Sequence, residues 1–246
     1  MKKKKFGFRL IFKSKFNFLI TVAILGFVIN FVVQIYRKPS ELISYWYSGQ
    51  ASGIEETWNR FGDDFISYST PYVFPEVLAS LAQIESGGRV WASPLGQVKI
   101  KTNLDRIYAP ASSAIGLMQL TDGHFEQARK YCIVKGELKR GCTMNWIYSR
   151  LWPSHSIELA ASYLHMSIAK LRKWYRRQFK KTDLIKLSSV IHLCGPEKAA
   201  IFVEDQLEFR RFKQCGDHRV DRYVNKVLSF SKKFSQFYAN PSNPID

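Results

Sequence analysis

Between Phe16 and Tyr36 the chain reads FNFLITVAILGFVINFVVQIY, 21 residues without a charged side chain. A run of about 20 apolar residues crosses a bilayer as a helix, because a helix satisfies its own backbone groups where water is absent. The preceding fifteen residues hold Lys2, Lys3, Lys4, Lys5, Arg9, Lys13 and Lys15 and no acid, and only Arg37 and Lys38 follow closely. The positive-inside rule then keeps the N-terminus in the cytoplasm and exports the remainder. The run ends NFVVQIYRKP, with no small-x-small cleavage site, which favours an uncleaved signal anchor over a removed signal peptide. The expected layout is a basic cytoplasmic tail at 1–15, a transmembrane helix at 16–36 and everything after it outside. The expected location is the inner (cytoplasmic) membrane, single-pass, with the main domain in the periplasm.

The formal charge is +17, from 37 Lys and Arg against 20 Asp and Glu. Such a balance suits an anionic partner: nucleic acid, a membrane surface or an acidic wall polymer. Export argues against nucleic acid. With 46% hydrophobic residues, 14 glycines and 9 prolines, the chain can bury a core and is not a low-complexity polymer. Its four cysteines, Cys132, Cys142, Cys194 and Cys215, all fall in the exported part. An even count there points to disulfides, and three pairings are possible. Cys132–Cys142 and Cys194–Cys215 are favoured because each closes a short loop, worth about 3 kcal/mol in the chain-entropy model. No close Cys-x-x-Cys pair suggests zinc. His124, His155, His165 and His218 show no metal-ligand spacing, so no metal or cofactor is expected.

Residues 37–70, with Pro39, Gly49, Gly53 and Gly62, read as a stalk or lead-in with a short helix near 54–61. From there the periodicity is helical. Pro75 suits a first turn, Val77, Leu78, Leu81, Ala82 and Ile84 recur at helical spacing, and Gly87-Gly88 stops that helix just past Glu85. Further helices are expected from Met118 or Thr121, over about 156–179, 183–194 and 197–209, and over about 217–237. No strand pattern of similar strength appears; 98–101 is a weak candidate for a hairpin arm. The expectation is an all-α domain over 71–238, with a short tail at 239–246.

Glu85 closes an apolar helix, where the helix dipole and apolar neighbours both disfavour the charged carboxylate. A general acid working near neutral pH needs that bias. Alone, this is a modest signal, since helix-ending glutamates are usually solvated. A second segment, Ser112 to Thr121, reads SSAIGLMQLT. Its small residues allow close backbone approach, Gly116 permits a turn that Ala would resist, and Gln119 offers both donor and acceptor.

Taken together, the two segments resemble the soluble-lytic-transglycosylase (SLT) family, whose domain has a goose-type lysozyme-like fold. Glu85-Ser86 matches its helix-ending Glu-Ser, and Gly116-Leu117-Met118-Gln119 matches its Gly-Leu-Met-Gln. A Gly-Pro turn at Gly195-Pro196 stands where the family has an Ala-Tyr-Asn-Ala-Gly-Pro-like segment, but His192 and Leu193 occupy the Tyr and Asn places. Tyr223-Val224-Asn225-Lys226-Val227 matches the family's last motif.

The resemblance implies an enzyme cutting the β-1,4 bond between N-acetylmuramic acid and N-acetylglucosamine in peptidoglycan. Glu85 would protonate the bridging oxygen, then accept the muramyl C6 hydroxyl proton as a 1,6-anhydro ring closes. Ser86 and Gln119 would hold substrate or orient Glu85, Gly116, Leu117 and Met118 would line the groove, and Tyr223 would position the carboxyl. His192 is a candidate polar contact in place of the missing Asn. Intramolecular attack dispenses with the second carboxylate that ordinary glycosidases use; Asp105 and Asp122 are the candidates if one exists. Peptidoglycan strands and the inner membrane are the implied partners, and an envelope or secretion machine is a further candidate. Two rivals stand: a lysozyme-like muramidase on the same fold, and a weakly active wall-binding module. The basic run Lys170–Lys181 reads equally as a solvated face or as an attractor of anionic wall polymer or lipid headgroups. Trp91, Trp146, Trp152 and Trp174 can pack in the core or stack on sugars.

Overall fold

The computed structural model describes residues 17–26, 28, 52–92, 113–142 and 147–239. Residues 17–26 and 28 are helical and solvent-exposed apart from Thr21. They belong to a separate unit from the compact body, which is described from residue 52. Ten of the 21 residues of the 16–36 span expected to cross the membrane lie outside the described residues, as do the arm at 98–101 and Asp105. Among the described residues, no helix is long and apolar enough to cross a membrane.

The compact body contains seven helices and two small hairpins among its described residues. In chain order these are α1 (Ile54–Ser67), α2 (Pro75–Ser86), α3 (Asp122–Ala128), β1 (Tyr131–Val134), β2 (Glu137–Arg140), α4 (Pro153–Tyr175), α5 (Lys181–Cys194), α6 (Pro196–Glu204), β3 (Gln214–Cys215), β4 (His218–Arg219) and α7 (Val220–Ala239). The all-α expectation holds for the core, and the two hairpins are additions to it.

Helix α2 is the centre. Val77, Leu78, Ala79, Leu81 and Ala82 are fully buried, as is Ser80, the pattern of a helix covered on nearly every side. Pro75 occupies its first turn and Gly87, at φ 62°, takes the left-handed position that ends it. Helix α7 packs along α2 through Val220, Tyr223, Val224, Val227, Ser231 and Phe234, a single stripe at helical spacing. The two helices run antiparallel. Ser80 midway along α2 meets Ser231 past the middle of α7 at 3.1 Å, and Glu85 at the end of α2 meets Tyr223 early in α7. The one carboxylate buried in the first turn of α2, Glu76, is paired with Lys181 at 2.6 Å.

Helix α1 extends six residues beyond the expected Phe61, and it buries Phe61 and Phe65. Thr57 Oγ1 donates to Gln83 Oε1 (2.6 Å), and Gln83 Nε2 donates to the Ser52 carbonyl (2.8 Å). The lead-in is thus part of the body from about residue 52.

Three further helix boundaries differ from the sequence reading, each for a backbone reason. Helix α4 stops at Tyr175, not Phe179, because Arg176 turns left-handed at φ 48°. Helix α6 stops at Glu204, not Phe209, because Gln206 and Leu207 take φ 59° and 65°, and the Leu207 N–H folds back on the Phe202 carbonyl at 2.8 Å. Helix α7 starts at Val220, not Asp217, because 214–219 forms the β3–β4 hairpin. Both favoured disulfides are formed: Cys132–Cys142, with Cα atoms 6.2 Å apart, anchors the β1–β2 hairpin, and Cys194–Cys215, at 5.5 Å, ties the end of α5 to β3.

Candidate active site

Glu85 sits one residue from the end of α2, with its side chain 20% exposed. The apolar spacing of α2 buries the residues before it, and the Gly87-Gly88 break leaves the carboxyl at the rim of the core. A Cβ on Gly88 would lie 2.3 Å from Thr57 Oγ1, so the chain can turn beneath α1 only as glycine. Two other elements reach the carboxyl. From α7 the Tyr223 hydroxyl donates to Glu85 Oε1. From the last turn of α5, His192 Nε2 lies 3.7 Å from the same oxygen.

Tyr223 is 9% exposed, and burial together with the adjacent carboxylate pushes its phenol well above the ordinary range. It therefore stays protonated and keeps donating. The His192 side chain is 4% exposed. Burial lowers its pKa more than the nearby carboxylate raises it, so it is held toward the neutral form. Its Nδ1 is buried without a hydrogen-bond partner among the described residues. A proton is better placed on Nε2, facing the carboxylate, than on an atom with nothing to receive it. Behind His192 lies His124, whose pKa is lowered to about 4 by burial and by the neighbouring imidazole. His124 stacks on Tyr163 with ring centroids 4.2 Å apart.

The second motif is a tight turn. Ile115 and Leu120 bridge across it, Gly116 lies at φ 80° and Gln119 at φ 46°. The Gly116 N–H and one side-chain amide hydrogen of Gln119 both go to the Ala92 carbonyl (2.8 and 2.7 Å), and Gln119 also donates to the Gly116 carbonyl (2.8 Å). Ala92 thus joins the second motif to the chain leaving Glu85. With both amide hydrogens committed, Gln119 has its Oε1 acceptor to offer a ligand. Arg150 braces the turn, donating to the carbonyls of Ser113 and Leu120 and pairing with Asp122 at 2.6 Å.

Several expected site residues are placed differently from the sequence reading. Leu117 and Met118 are fully buried and belong to the core, not to a groove wall. Ser86 is 1% exposed and its hydroxyl donates to the Ala82 carbonyl, closing the helix end. The close approach that requires Gly116 comes from the protein itself, since a Cβ there would lie 2.1 Å from the Arg150 carbonyl oxygen. Asp122, one of the two possible second acids, is engaged by Arg150 beside the Thr121 cap of α3. Of the four tryptophans considered for sugar stacking, Trp152 at the head of α4 is 65% exposed, directly after the Arg150-Leu151 segment that packs on Gly116. The sequence reading missed Tyr163 and Arg150, and weighed His124 only as a metal ligand. No spacing pattern announces them, because their partners are distant in the chain.

Among the described residues, no group of three or more His, Cys, Asp or Glu side chains could hold a metal ion. The arrangement is a single carboxyl with a fixed donor on one oxygen, a neutral imidazole beside it, and a turn rich in backbone polar groups joined to the same end of α2. Proton transfer to and from a bound hydroxyl or ether oxygen is what such a set can do.

Comparison with protein families matches residues 67–179 to the Transglycosylase SLT domain model, a range that includes Glu85 and the Gly116–Gln119 turn; His192 and Tyr223 lie beyond it. No curated protein matches the chain. Residues 67–179 are therefore an SLT-family lytic transglycosylase domain, and the chain is by that domain a peptidoglycan lytic transglycosylase, a lyase.

Proposed function

We propose that the enzyme cleaves the β-1,4 bond between N-acetylmuramic acid and N-acetylglucosamine and leaves 1,6-anhydro-muramyl ends, with Glu85 as the only acid/base. In the first half-reaction the Glu85 carboxyl gives its proton to the bridging oxygen as the muramyl C1–O bond breaks. In the second, the resulting carboxylate takes the proton of the muramyl C6 hydroxyl as O6 bonds to C1. The carboxyl ends as it began and no water is consumed. Tyr223 fixes which oxygen faces the sugar, and neutral His192 offers an Nε2 hydrogen to the carboxylate that forms between the two halves. The observation that carries this reading is the Tyr223 hydroxyl on Glu85 at the end of an apolar helix, within a chain that matches the SLT domain.

Gln119 Oε1 and the exposed indole of Trp152 are the proposed sugar contacts. The charge-free run at 16–36, flanked by seven cations on its N-terminal side, supports anchoring in the inner membrane with the domain in the periplasm. The test is mass analysis of fragments released from purified sacculi by wild type and Glu85→Gln. Anhydro ends from wild type and none from the variant are expected. Reducing ends, heavier by one water, would assign a muramidase instead, and equal release by both proteins would overturn the role of Glu85.

A further inference from the structure

At the end of α2 remote from Glu85, an open cleft of about 390 Å³ is lined by Tyr72, Ala169, Arg172, Lys173, Arg176, Arg177 and Gln178. Four of its seven lining residues are cations and none is a carboxylate. Two of its three guanidiniums are oriented by neutral partners. Arg172 donates to the Tyr72 hydroxyl and to Gln178 Oε1, both at 2.5 Å, and lies over the Tyr72 ring. Arg177 donates to Gln206 Oε1 at 3.2 Å. The nearby acids Glu204 and Asp205 are occupied by Arg211, each at 2.7 Å.

The dipole of α4 accounts for two cations in its last turn, Arg172 and Lys173. It does not account for Arg176 and Arg177, which lie past the helix end. Nor does it account for Arg176 holding a left-handed conformation, φ 48°, at the position where glycine is relaxed. The side chain at that position adds a third guanidinium to the cleft, beside those of Arg172 and Arg177.

We propose that this cleft binds a phosphoryl group. Two or more guanidinium forks around one small cleft match the several oxygens and multiple charge of a phosphate, whereas a lone carboxylate would leave most of the cations unanswered. The group can come from a lipid headgroup or from a soluble phosphate. Trp174, next in the chain to the lining Lys173, is 79% exposed, and an exposed indole beside lysine and arginine suits the headgroup level of a bilayer.

The test is calorimetric titration of the full-length protein in detergent micelles with glycerol 3-phosphate and, separately, with short-chain phosphatidylglycerol. The decisive variant is Arg176→Gly, which removes a lining cation while relaxing the backbone. Wild type should bind at least one probe. Arg176→Gly should bind it about tenfold more weakly, as for a lost charge-assisted contact, while melting at the same or a higher temperature and cutting sacculi at the wild-type rate. Tighter binding of the lipid assigns the headgroup as source; equal binding assigns a soluble phosphate. The proposal is overturned if neither probe binds, if Arg176→Gly and Arg172→Gln both retain wild-type affinity, or if Lys232→Gln/Lys233→Gln on α7 weakens binding as much. Loss of wall cutting in Glu85→Gln bears on the acid alone, so the two readings fail independently.

Discussion

Replacing Tyr223 with phenylalanine removes one oxygen from a ring that is otherwise packed between α2 and α7. That oxygen donates its hydrogen bond to Glu85 Oε1. A hydrogen bond to a charged group contributes about 1.5–3 kcal/mol, and each 1.36 kcal/mol of transition-state stabilisation is about tenfold in rate. Tyr223→Phe should therefore slow release of muropeptides from sacculi by roughly 10- to 150-fold. If Tyr223 positions the acid, the loss falls on kcat with KM little changed, because substrate binding does not require the phenol. Ser231→Ala supplies the control. It lies on the same face of α7 and breaks the 3.1 Å contact to Ser80, so it should lower the melting temperature and leave kcat alone. Wild-type kcat in Tyr223→Phe, or equal kcat losses in both variants, would refute the positioning role.

Two further outcomes follow from the same geometry. Folded His124 resists protonation until about pH 4, while an unfolded histidine accepts its proton near 6.5. Between those values the unfolded chain binds more protons, so stability is full above about pH 6.5 and falls as the pH drops toward 4, by about 3 kcal/mol from this residue. His192 and His165 act in the same direction. Melting temperature measured across that window should decline steeply, and His124→Phe should flatten the slope; an unchanged slope would remove His124 from the account. Gly116→Ala places a methyl 2.1 Å from the Arg150 carbonyl at φ 80° and should cost more than about 2 kcal/mol in thermal denaturation, whereas Gly123→Ala, on α3 with open space around it, should be neutral or mildly stabilising. Equal melting temperatures for the two variants would mean that the second turn yields easily.

Much of this architecture was legible in the chain because it is written in local patterns. The apolar period of α2, its Pro75 entry and its Gly87-Gly88 exit located Glu85 at a helix end. The stripe from Val220 to Val227 located Tyr223 on a buried face, and short loop closure singled out both disulfides. The remainder depends on contacts between residues far apart in sequence. Glycine-like turns at Arg176, Gln206 and Leu207 shorten α4 and α6, and no composition rule marks them. The hairpins were missed because β3 and β4 are two residues each and β2 is mostly polar, although Lys135-Gly136 after Tyr131–Val134 is a recognisable turn signal. Leu117 and Met118 look the same in a groove as in a core. The resemblance put Gly116 in the groove lining, where the molecule uses it to admit its own Arg150 segment.

The Cys194–Cys215 bond has an implication for when the enzyme is competent. Cys194 is two residues from His192, and Cys215 is eight residues before Tyr223, so a single covalent link fixes the spacing of the two groups that attend the acid. Without that bond the β3–β4 hairpin and the tail of α5 lose their covalent tie, while Ile191 and Val220 on either side stay packed in the core. If Glu85 is the acid, reducing this bond should loosen its setting and slow wall cutting before the core itself melts.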